Sequence, residues 1–138
     1  MRIIKSFATT LALLLCVASF AQVNQAPARS IADAPKAELN PEEFKRAIET
    51  GKYQLVDVRT PSEFASGHIA KAANIDWTAS GYEAAFSAIK KDAPALLYCH
   101  SGGRSEQALE YLIGKGYRVQ HLDGGISAWR KAGYPVVK

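Results

Sequence analysis

The residues best placed for chemistry are seven in a row, Cys99-His100-Ser101-Gly102-Gly103-Arg104-Ser105. Gly102 and Gly103 permit positive φ and close backbone approach, so successive N–H groups can turn inward as an anion-binding nest. A helix starting after them adds the positive end of its dipole. A cysteine there is held largely as thiolate, since a helix N-terminus and a nearby arginine lower its pKa from about 8.5 into the range of about 3.5 to 7.5. The alternative, a small core hydrophobe that happens to end a strand, is the commoner fate of a free cysteine. Strand end, double glycine, arginine and helix start occurring together argue against it. Arg104, with its side chain turned toward the mouth, would attract an anion. His100 adjoins the nucleophile, but adjacent side chains on a curled loop usually diverge, so tuning of access suits it better than proton transfer.

The flanking pattern predicts how this loop is positioned. Ala95-Leu96-Leu97-Tyr98 is a continuous apolar run of the kind found in a strand buried on both faces, and it ends at the cysteine. After the loop, Ala108, Leu109, Leu112 and Ile113 recur at helical spacing and Gly116 is the stop. Asn40-Pro41-Glu42-Glu43 and Thr60-Pro61-Ser62-Glu63 carry the cap, first-position proline and third-position acid of helix starts, and Ser80-Gly81-Tyr82-Glu83 opens another helix, running through Ile89 and closed by Pro94. Strands are expected over residues 53–58, 72–75 and 117–122, and Gly124-Gly125 leads into a last helix through Trp129. Strands alternating with helices over short turns imply an α/β sandwich, a mainly parallel central sheet flanked by helices, in one compact domain over residues 40–138.

Ligands gather beyond the carboxyl ends of such strands. That rule puts Asp57, toward the end of its strand, near the pocket, and makes the turn at Asp123-Gly124-Gly125 a candidate rim. His121 ends a strand and could also border the site, though nothing nearby assigns it a role, and His68 reads as a turn residue. Trp77 and Tyr82 either wall the pocket or seal a helix onto the sheet, the commoner use of aromatics.

At 138 residues, 48% hydrophobic and 22% charged, the composition is that of one ordinary globular domain. Arg2 and Lys5 precede an uncharged apolar run from Phe7 to Phe20 that is too short to span a bilayer and ends in small residues. This reads as a signal peptide over residues 1–21, followed by a flexible Ala-, Pro- and Gln-rich lead-in over residues 22–39. Export makes the expected location periplasmic or secreted, with no stable membrane anchor after cleavage. Cleavage removes two basic residues from a net charge of +4, which leaves no electrostatic case for nucleic-acid binding. It also removes Cys16, so Cys99 has no resolving partner for a thiol-redox cycle. Two cysteines and three dispersed histidines give no metal reading, and no metal or organic cofactor is called for.

The run CHSGGRS after LLY resembles the active-site loop of rhodanese-like sulfurtransferases. Leu55-Val56-Asp57-Val58-Arg59 with Glu63-Phe64 and Gly67-His68-Ile69 is similar to that family's N-terminal signature. Gly124-Gly125-Ile126 to Trp129 and Tyr134-Pro135-Val136 resemble its C-terminal one. The resemblance covers residues 40–138 and departs at Ala70-Lys71-Ala72, in a turn. It implies a rhodanese-like three-layer sandwich. It also implies a persulfide carried on Cys99, with Arg104 assisting and the backbone of His100, Ser101, Gly102, Gly103 and Ser105 holding the transferred group. The partners it implies are a small anionic sulfur donor, such as thiosulfate, and a thiol or cyanide acceptor. In the same pattern Arg59 with Glu63 forms an internal ion pair that braces a helix start. Cysteine phosphatases place five residues between their Cys and Arg, against four here; the shorter loop suits a single sulfur atom better than a phosphate. A non-catalytic binding module of the same fold is the competing reading, though such modules usually lack the cysteine.

Overall fold

The computed structural model describes residues 36–138; the expected signal segment and nearly all of the lead-in lie outside the described residues. The elements run β1 (Glu38–Leu39), α1 (Pro41–Glu49), β2 (Gln54–Asp57), α2 (Pro61–Ala65), β3 (Ala73–Asn74), α3 (Tyr82–Phe86), β4 (Ala95–Tyr98), α4 (Gly103–Gly114), β5 (Val119–Leu122) and α5 (Gly125–Lys131). All strand pairs are parallel, in the order β1-β5-β4-β2-β3. The parallel arrangement brings the carboxyl ends of β2, β4 and β5 to one edge.

Alternation along the strands builds one core on each face of the sheet. Val56, Val58, Leu97, Cys99 and Val119 pack with Phe86 of α3 and Ala108, Leu109 and Leu112 of α4. Leu55, Leu96, Tyr98 and Leu122 pack the other way, with Phe44 of α1 and Ile126 and Trp129 of α5. Phe44 meets Tyr98 and Trp129 edge-on, at centroid distances of 6.4 and 6.3 Å. The result is the expected three-layer α/β sandwich.

The capping signals form as their residue types dictate. The Asn40 side chain accepts from the Glu43 N–H while the Glu43 carboxylate accepts from the Asn40 N–H, each at 2.9 Å. Thr60 and Glu63 repeat this reciprocal pair at α2. Two elements differ from expectation. β1 lies inside the stretch read as a flexible lead-in: Glu38 and Leu39 pair with His121 and Leu122, and Leu39 is buried. Two residues are too few to show a strand period. The helix opened near Ser80 is a single short one, because Gly81 caps it in the left-handed region with no side-chain hydrogen bond. Beyond Phe86 the backbone continues in tighter turns, with the Ile89 N–H donating to the Phe86 carbonyl.

Candidate active site

Cys99 follows β4 directly, and its loop is clasped by the turn into α5. The Cys99 and His100 carbonyls accept from the Ile126 and Ser127 N–H groups, at 2.8 and 3.1 Å. This close approach requires Gly125, whose φ is +58°. A Cβ there would stand 2.5 Å from the Cys99 carbonyl oxygen and 2.6 Å from the His100 carbonyl carbon. Gly125→Ala therefore meets backbone rather than a movable side chain, in a conformation that itself costs an L-residue about 1–2 kcal/mol. We expect a stability loss of at least about 2 kcal/mol in urea unfolding, together with slower chemistry at Cys99 because the loop must move. On the other side of the loop Gly102, at φ +108°, backs onto the Gly124 N–H, which would stand 3.3 Å from an added Cβ.

The cysteine is free, and its sulfur sits inside the curled loop. It is 1% exposed and accepts from the Gly102 N–H at 3.1 Å and from the Ser105 hydroxyl at 3.6 Å. Burial works against the charged form, but the Ser105 hydroxyl and the N–H groups of Ser105, Gly102 and Ser101 outweigh it. The thiol pKa therefore lies below its ordinary value. Ser105 is fully buried at the first turn of α4 and also donates to the Gly102 carbonyl at 2.8 Å. Ser101 and Gly103 are exposed at the lip. The His100 side chain is also exposed, with Nε2 3.4 Å from the Ser127 hydroxyl on α5.

Two expectations about charged residues are corrected. Arg104 does not present a free guanidinium at the mouth, and Arg59 does not pair with Glu63. Instead Arg104 grips Glu63 with both terminal nitrogens, at 2.7 and 2.8 Å, tying α4 to α2. Glu63 has room for this because its capping role leaves carboxylate lone pairs free. The Arg104 hydrogen bonds first, and those from Thr60 next, outweigh partial burial and pull the Glu63 carboxyl down to about 2. A depressed carboxylate pKa stabilises the fold above its unfolded value of about 4.3 and loses that contribution as pH falls through about 2. With side chains about a third exposed, the bidentate pair should contribute about 1 kcal/mol. We expect Glu63→Gln to lose that amount at pH 7 and to show a shallower fall in stability between about pH 4.5 and 2, followed by denaturant melts across pH.

Asp57, expected near the pocket, is turned away from it. It stands between Val56 and Val58, which share the face of Cys99, so alternation sends its side chain to the opposite face. There it is fully buried against Arg59, itself 2% exposed, with nitrogen–oxygen distances of 2.6 to 3.0 Å. Arg59 also donates to the Gly67 carbonyl and lies over the Tyr98 ring. Trp77 and Tyr82 prove to be a seal: with Phe86 and Tyr111 they cover the junction of α3 and α4, and the Trp77 indole N–H donates to Gln107.

Sequence reasoning named Glu63 and His121 but gave the first the wrong partner and the second no role. His121 is 5% exposed, and its Nδ1 lies 3.2 Å from the Ser105 hydroxyl. The signal was available, since His121 stands two residues after Val119 on the strand and so faces the same apolar layer, where a polar side chain needs a partner.

Comparison with known proteins agrees with this architecture. Residues 40–132 match the Rhodanese-like domain family. A sulfurtransferase from Allochromatium vinosum is 43% identical over 94 residues, covering 67% of this chain and 86% of the relative. Thiosulfate sulfurtransferase GlpE from Pseudomonas aeruginosa is 38% identical over 100 residues, covering 70% and 86%. The crystal structure of a rhodanese-related protein from Thermoplasma volcanium superposes with a TM-score of 0.66 at 32% identity, covering 72% of this chain and 96% of that one. With a free cysteine cradled at the strand end and relatives of this similarity, the chain belongs to the rhodanese-like domain family, among its sulfurtransferases.

Proposed function

We propose that the protein transfers a sulfane sulfur from thiosulfate, or a related small anionic donor, to cyanide or a thiol through a persulfide on Cys99. The observation that carries this reading is the buried sulfur accepting from the Gly102 N–H and the Ser105 hydroxyl, bonds that favour its thiolate form. The thiolate attacks the outer sulfur of the donor. A new S–S bond forms to Cys99, and the donor's own S–S bond breaks, its electron pair leaving with sulfite. An acceptor nucleophile then attacks the outer sulfur of the persulfide and returns the Cys99 thiolate. At 1% exposure the sulfur lies deep in the loop, where the outward terminal atom of a sulfane donor meets it more readily than the shielded central phosphorus of a phosphate. Because Glu63 compensates Arg104, the anionic donor and the persulfide are met chiefly by the loop N–H groups, as in an oxyanion hole.

The N-terminal run from Phe7 to Phe20 supports export, so the reaction is proposed for the periplasm or the extracellular space. The test incubates the reduced chain with thiosulfate, reads the mass of the Cys99-containing peptide for one added sulfur, and follows thiocyanate on adding cyanide. Loading at Cys99 with turnover is the expected result. A folded, reduced protein that neither loads nor turns over with thiosulfate or other sulfane donors would overturn this reading in favour of a binding module.

A further inference from the structure

We propose that His121 is a positioning residue for Cys99, acting through the Ser105 hydroxyl. The inference concerns the sulfur-transfer site described above and rests on that reading for its catalytic consequence. Three buried groups form a chain from β5 across α4 to the loop: His121 Nδ1, Ser105 Oγ at 3.2 Å from it, and Cys99 Sγ at 3.6 Å from that oxygen. Ser105 has one hydroxyl proton, and three acceptors stand around it, counting the Gly102 carbonyl at 2.8 Å. If Nδ1 took that proton, nothing would be left to offer the sulfur. With the imidazole proton on Nδ1, His121 donates to Ser105 Oγ and closes off that direction. The hydroxyl proton is then shared only between the Gly102 carbonyl and the sulfur, and it swings to the sulfur when the thiolate forms.

Nε2 of His121 has no hydrogen-bond partner among the described residues and is not sealed from solvent, so water can donate to it while Nδ1 keeps the proton. The effect requires no change in the charge of His121. The strand around it is otherwise apolar on this face, with Val119 before it and Leu97 beside it in register, and Glu38 across β1 is exposed.

The experiment measures the rate of Cys99 alkylation by iodoacetamide across about pH 4 to 9 in the full chain, read by the mass of the Cys99-containing peptide. His121→Leu should raise the midpoint by about half to one pH unit, seen as alkylation about 3- to 10-fold slower below the midpoint. His121→Asn, whose amide falls where Nδ1 was, should stay within about 0.3 unit of the unmodified protein, whereas His121→Gln should behave like the leucine variant. Ser105→Ala should raise the midpoint, and adding His121→Leu to it should change nothing further. An unmoved midpoint, a downward shift, or the same shift with and without Ser105 would overturn the proposal. If the leucine variant does not fold, equal midpoints for the asparagine and glutamine variants would do the same. Alkylation uses no sulfur donor, so failure of this proposal and failure of the sulfur-transfer reading are separate results.

Discussion

Replacing Cys99 by serine is expected to lower sulfur transfer by at least about 10³-fold and to abolish sulfur loading, while leaving the fold intact. Serine differs by one atom, and its hydroxyl can still accept from the Gly102 N–H that now reaches the sulfur at 3.1 Å. Packing is therefore nearly unchanged at a position with 1% exposure, and stability should shift by no more than about 1 kcal/mol. The chemistry does not survive. The loop's hydrogen bonds lower a thiol pKa from an ordinary value near 8.5, but the same bonds acting on a serine hydroxyl leave it protonated at neutral pH. An oxygen at this position would also have to form an S–O bond to the donor where a thiolate exchanges one S–S bond for another. Thiocyanate production and the mass of the peptide containing residue 99 check both halves. A serine variant that kept full transfer would place the sulfur elsewhere in the chain, and the same peptide mapping would report on Cys16.

The parts legible in the sequence are those set by local rules. Asn40 and Thr60 announce their helices through cap, proline and acid, and Ala95-Leu96-Leu97-Tyr98 announces a strand buried on both faces, as β4 is. The loop from Cys99 to Ser105 was equally plain, because two glycines between a strand and a helix leave the backbone few other uses. What escaped was pairing across the fold. Glu63 pairs with a residue 41 positions away, and the choice between Arg59 and Arg104 depends on which face of the sheet each guanidinium reaches. Alternation from Val56 and Val58 turns Asp57 away from Cys99, and this local rule overrides the general one that strand ends border the pocket. The strand at Glu38–Leu39 carried no periodicity and is defined only by the edge of β5 that it covers.

Arg59→Met should be the most destabilising substitution outside the loop, because it strands a carboxylate. Asp57 is fully buried, and Arg59 gives it three side-chain contacts at 2.6 to 3.0 Å plus one from its own backbone N–H at 2.9 Å. Removing the guanidinium leaves the charge with that N–H and the neighbouring Tyr98 hydroxyl, and also leaves the Gly67 carbonyl without its donor. Breaking a buried pair from one side costs about 3–5 kcal/mol, most of it the penalty of an uncompensated charge rather than the worth of the pair. It follows that Asp57→Asn together with Arg59→Met should recover a large part of the loss, since the double variant buries no charge at all. Urea unfolding of the two single variants and the double variant decides this. Near-additive losses would mean that the pair contributes independent packing rather than mutual neutralisation. Because Asp57 and Cys99 face opposite layers, the pH midpoint of Cys99 alkylation should be the same in the folded double variant as in the unmodified protein. A shifted midpoint would return Asp57 to the site from which its strand register removes it.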